Sequence, residues 1–204
     1  MRLLEYVLVF FGLVGLYIAV HVPGGPIPIL LLAAVAVVVY LRRTGGFAPF
    51  RRSALRPALP GMLLRWAAVS VLAVVAVAVV DRDHLFDLPR REPLLWLAVI
   101  VFYPLVSVYP QELLFRAFLL RRYAPVFGTG LGAAAASAAA FGFAHLLFGN
   151  VLAVLATIAG GWLFARRYQR TRSLLVVSVE HALYGITIFT VGLGQYFYHG
   201  AGSL

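Results

Sequence analysis

The chain has no cysteine and no lysine in its 204 residues, and only 12% of them are charged. The missing cysteine excludes disulfides and thiolate metal ligands. The scarcity of charge excludes more. A soluble domain carries about a quarter charged residues. With 63% hydrophobic residues and a mean hydropathy of +0.95, this chain cannot coat a water-facing surface. The fold class that remains is all-α, a polytopic bundle of transmembrane helices in a lipid bilayer.

Acidic residues are also few, seven against 17 arginines, which leaves a net charge of +10. This excess does not indicate a nucleic-acid partner. The arginines lie in short clusters between apolar runs, as they do in the cytoplasmic loops of membrane proteins, and anionic lipid is their natural counter-charge.

Apolar stretches near the ~20 residues that cross a bilayer recur at about 3–21, 26–41, 61–80, 93–120, 129–147, 150–165 and 173–193. They predict about seven spans. Pro23-Gly24-Gly25-Pro26, Arg42-Arg43, Asp81-Arg82-Asp83, Ala124-Pro125, Gly149-Asn150 and Arg166-Arg167 separate them. The first run is longer than a signal core and lacks a small-x-small cleavage site, so it reads as a retained helix. We expect three spans in residues 1–92, a four-span core in 93–193, and an aromatic tail in 194–204.

With the N-terminus inside and sides alternating, the inner loops hold twelve arginines and the outer loops three, Arg82, Arg90 and Arg91. That bias predicts a cytoplasmic N-terminus. The setting expected is a bacterial or archaeal cell membrane. The run Ala133 to Ala140, broken only by Ser137, and the pair Gly160-Gly161 predict close helix packing.

A charge at the bilayer centre costs about 2.5–3.5 kcal/mol or more, so polar groups within the spans need a reason. They are Gln111, Glu112 and Arg116 on the fourth span, His145 on the fifth, and Glu180 with His181 on the seventh. The first three spans offer only Glu5 and Arg65 near their ends, within snorkelling reach. Glu112 and Arg116 are four apart and share a helix face. Pro104 and Pro110 remove backbone donors just before Gln111 and predict a kink. Three helices can thus point polar groups into one hydrated site.

The fourth span reads Gln111-Glu112-Leu113-Leu114-Phe115-Arg116, the fifth Phe141-Gly142-Phe143-Ala144-His145, and the seventh His181-Ala182-Leu183-Tyr184-Gly185. In order and spacing these segments resemble the motifs E-E-x-x-x-R, F-x-x-x-H and H-x-x-x-N of the CAAX-protease and bacteriocin-processing family. That family contains the type II CAAX prenyl endopeptidases. The likeness covers about 93–190. It implies an intramembrane endopeptidase of the glutamic type that requires no metal or other cofactor. In the family the first Glu and the second-motif His activate water, the third-motif His and Asn stabilise the oxyanion, and the second Glu and the Arg order the site. By that resemblance His145 would polarise water, His181 would donate to the oxyanion, and Arg116 would hold Glu112.

Two positions depart from the pattern. Gln111 stands where the family has its first Glu and cannot accept a proton; Gly185 stands for the Asn and offers no side-chain donor. Losing an oxyanion donor costs about 10²–10³ in rate, and losing a base about 10²–10⁴. Glu112 is the first candidate to replace the base, and Glu180 the second. At 1.5 Å per residue, His145 lies about 25 Å from Gly128, deeper than His181 lies from its own loop. A shared site would then need a tilted fifth span or a Gly128–Gly132 segment that dips into the membrane.

The expectation is hydrolysis of membrane-associated peptides or proteins by a Glu- and His-activated water. The alternative is an inactive relative that binds a partner as a scaffold or immunity protein. A zinc site of Glu112, His145 and His181 is weaker, because no H-E-x-x-H helix is present. A proton-coupled transporter is also weaker, because the two halves show no inverted repeat.

Overall fold

The breaks in the apolar pattern lie at or near helix ends, Arg166-Arg167 excepted. The computed structural model describes residues 1–20, 25–46 and 50–197. His21, the Pro23-Gly24 part of the first break, and the Tyr198-His199 end of the aromatic tail lie outside the described residues. Among the described residues seven long helices run α1 (Arg2–Val20), α2 (Ile27–Arg43), α3 (Arg52–Val80), α4 (Pro93–Arg122), α5 (Leu131–Phe148), α6 (Val151–Thr171) and α7 (Leu174–Val191). There is no strand among the described residues.

Six of the seven have the length and apolarity to cross a membrane. The exception is α2, with 17 residues. Its length of about 26 Å falls a little short of the ~30 Å hydrocarbon core. Two helices outrun their expected limits. α3 starts at Arg52 and continues through Pro60, because a membrane helix tolerates a lost donor that neighbours can offset. α6 continues past Arg166-Arg167 to Thr171 and stops where Arg172 turns left-handed. The arginines end the apolar run but not the helix, since Arg is a good helix former.

α4 stays continuous through Pro104 and Pro110. It absorbs the missing donors as two wide π-turns, Pro104–Val108 and Leu113–Phe118, on either side of Gln111-Glu112. Such turns are frequent at functional sites. Here they re-aim the residues between them.

The alternation of loops is visible in their contacts. At the arginine-rich end, Arg122 makes a two-pronged bond to Glu5 (2.8 and 2.9 Å), Arg121 donates to the Thr44 carbonyl (2.6 Å), and Ser173 donates to the Arg51 carbonyl (3.3 Å). At the other end, Asn150 caps α6 by accepting from Ala153 N–H, and its amide reaches the Tyr196 carbonyl (2.8 Å). Gly192, with φ +105°, lets the turn after α7 press against the His84 carbonyl, where a Cβ would collide.

α7 runs through the middle. Trp66 of α3 donates to Thr187 (2.9 Å), and Trp96 of α4 donates to Thr190 (3.0 Å). Behind α7, the alanine run of α5 packs on α6 as its composition predicts. Ala133, Ala134, Ala138 and Ala140 are buried, and a Cβ on Gly161 would lie 3.0 Å from the Ala138 backbone. α1 closes the far side, with the Tyr6 hydroxyl donating to the Ala136 carbonyl (2.9 Å) and Phe10 against Phe115.

Candidate active site

Glu112 and Arg116 share one face of α4, four residues apart, and neither side chain has any exposed surface. Arg116 Nε lies 3.1 Å from Glu112 Oε2. The approach is oblique, a contact of opposite charges rather than a directed hydrogen bond. Two further groups make the cation tolerable in the core. Its guanidinium sits 4.6 Å from the centre of the Phe141 ring, close enough for cation–π attraction, and Nη1 donates to Ser137 Oγ at 3.3 Å. Ser137 in turn donates to the Phe115 carbonyl (2.8 Å). The one hydroxyl in the alanine run thus supports the one arginine in the core.

The other carboxylate oxygen, Glu112 Oε1, lies 2.8 Å from His181 Nδ1. This bond joins the first motif to the third, across 69 positions of sequence. The contact with the carboxylate orients the imidazole of His181 so that Nε2 faces the other way. The Phe164 ring stacks on the imidazole at 4.6 Å and Phe141 meets it edge-on at 5.6 Å. Tyr103, the last residue of α4 before its first wide turn, brings its hydroxyl to 3.4 Å from His181 Nε2.

His145 joins this group through Phe141. Its Nδ1 lies 2.7 Å from the Phe141 carbonyl at the fraying end of α5, and the two rings are 4.5 Å apart. Nε2 is left as the ring's free lone pair. Phe141 therefore touches Arg116, His145 and His181 at once. Phe141 bridges the offset between His145 and His181 that chain length implies. Phe141 stands about 15 Å along α5 from Leu131 and His181 about 11 Å along α7 from Leu174. His145 lies one turn further along α5.

Gln111 points elsewhere than Glu112. Its amide donates to Ser107 Oγ (2.7 Å), one turn back on α4, and its Oε1 is buried without a hydrogen bond. Glu180 is separate. Neighbouring helix positions diverge by about 100°, so Glu180 leaves the face of His181 and meets Arg167 (2.6 and 2.9 Å) and Arg65 (3.3 Å). The structure thus brings Glu112, Arg116, His145 and His181 together, sets Gln111 beside them, and places Glu180 in an ion cluster with α3 and α6. No three His or acidic side chains among the described residues converge as metal ligands.

Exposure divides the group in two. Glu112 and Arg116 are fully enclosed and His181 is 6% exposed, whereas Gln111, His145 and Tyr103 keep part of their surface open. Sequence reasoning missed Tyr103, Ser137 and Phe164. Only Ser137 carried a signal, as a hydroxyl one turn before Phe141 on the same face.

A family model described as type II CAAX prenyl endopeptidase Rce1-like matches residues 92–187, a stretch that contains all three motifs. No curated protein and no solved structure matches the chain. Residues 92–187 are thus similar to the Rce1-like family of type II CAAX prenyl endopeptidases, a family of peptidases.

Proposed function

We propose that the protein is an intramembrane endopeptidase that hydrolyses peptide bonds of membrane-associated peptides or proteins. The observation that carries this reading is the buried Glu112–His181 bond at 2.8 Å, which couples two motifs in an apolar interior. A buried carboxylate behind an imidazole orients it and stabilises its protonated form, as in hydrolytic triads.

Both oxygens of Glu112 are engaged, by Arg116 and by His181. Its role is to support His181 rather than to take a proton from water. The base is then His145, whose Nδ1–H is held by the Phe141 carbonyl so that Nε2 can accept. His145 Nε2 removes a proton from water as its oxygen bonds to the scissile carbonyl carbon. The oxyanion accepts a hydrogen bond from His181 Nε2–H, whose positive charge Glu112 offsets. The C–N bond then breaks, His145 returns the proton to the departing amine, and the products are an amine and a carboxylic acid, which releases its proton to solvent.

The departure at Gln111 favours one rival, a protein that keeps the fold and binds a peptide without cutting it. Proteolysis of a membrane-anchored peptide library by purified protein separates the two. We expect cleavage by wild type and a loss of about 10²-fold or more in His145→Ala and His181→Ala. Cleavage unaffected by either change contradicts the site. Inactivity of wild type with gain of activity in Gln111→Glu favours the rival.

A further inference from the structure

Gly185 lies one turn after His181 on the same face of α7, and the space beside it is filled. A Cβ built there would fall 2.6 Å from Cζ of Tyr103 and would also collide with its hydroxyl. Only a glycine admits the phenol to this position. Tyr103 and Gly185 are therefore complementary: the side chain absent from α7 is replaced by one from α4.

We propose that Tyr103 is a catalytic residue, the second oxyanion donor of this site, in the place a side chain at position 185 would otherwise serve. The inference rests on the peptidase reading above. Its geometry is specific. The Tyr103 hydroxyl and His181 Nε2 are 3.4 Å apart, long for a hydrogen bond between them. It is a fitting separation for two donors that converge on a third atom, each at about 2.7–3.1 Å from an oxyanion. The phenol is held for this task, with its ring edge-on to Phe189 at 5.4 Å and to His181 at 6.3 Å. Tyr103 keeps part of its surface open while His181 is buried. A phenol O–H is a sufficient donor to an oxyanion in an apolar site.

The test compares wild type, Tyr103→Phe, Tyr103→Ala and Tyr103→Ala/Gly185→Asn on one cleaved peptide. Tyr103→Phe keeps the ring and its packing, and we expect unchanged thermal unfolding, KM within about twofold, and kcat lowered about 10²–10³-fold. The double variant should exceed Tyr103→Ala in kcat by about tenfold or more, because the introduced amide would restore a donor in the space vacated by the phenol. A purely space-filling tyrosine predicts kcat of Tyr103→Phe within about threefold of wild type and no rescue by asparagine, which overturns the proposal. If in that case His145→Ala is still inactive, the peptidase reading stands without Tyr103. A wild-type protein that cleaves nothing overturns both.

Discussion

Arg116 illustrates how a single residue can hold this site together. It lies in a lipid-crossing helix with no exposed surface, paired with Glu112, faced by Phe141 and bonded to Ser137. Removing one member of a buried ion pair strands the other and costs about 3–5 kcal/mol, whereas replacing both with neutral groups is often tolerated. Arg116→Met should therefore destabilise the protein by about that amount in a reversible unfolding measurement, and Arg116→Met/Glu112→Gln should recover part of the loss. The Glu112–Arg116 spacing was legible in the sequence, since i,i+4 fixes the shared face. The bond from Glu112 to His181 was not. It depends on how α4 and α7 are rotated against each other, and helices that are apolar nearly all round carry no periodic signal for that rotation. The same ambiguity left Glu180 beside His181 as a candidate until its two arginine partners appeared.

Among the elements, α5 and α6 show the closest packing. Gly161 sits against Ala138 and Phe141, and Gly142 lies under Ile158. In lipid this contact, not hydrophobic exclusion, holds helices together. Gly161→Leu should cost about 1–3 kcal/mol by overpacking. It should also lower activity, because the displaced Phe141 touches both histidines; unfolding and cleavage measured side by side check the pair of effects. The small-residue signature of this interface could be read directly from composition. The π-turns of α4 were legible only in part: Pro104 and Pro110 announced a disturbance, but not that it would take the form of widened turns. In the loop between α3 and α4, His84 bonds to Asp81 at 2.6 Å, and this partner raises the imidazole pKa above 6.5. The interaction is fully present below the ordinary value and is lost as pH rises through the higher folded one. An NMR titration should place the His84 midpoint above 6.5 in wild type and bring it back toward 6.5 in Asp81→Asn.

At the scale of the whole molecule, charge was distributed by two different rules. Arginines gather in the loops of one end, which the hydropathy pattern and the alternation of spans foretold. The few charges left inside the bundle are all neutralised there. Glu180 is held by Arg167 and Arg65, and Glu112 by Arg116 and His181. The first rule is a matter of composition and is readable from a linear chain. The second is a matter of three-dimensional neighbours, which is why Tyr103 and Ser137 escaped notice. The central claim is that these enclosed groups serve a water molecule at His145. Cleavage of a membrane-anchored peptide in ¹⁸O-enriched water, with mass analysis of the newly formed carboxylate, tests it most directly. The account predicts a single ¹⁸O in the product of wild type and no product from His145→Ala; a product without label, or equal labelled product from His145→Ala, would contradict it.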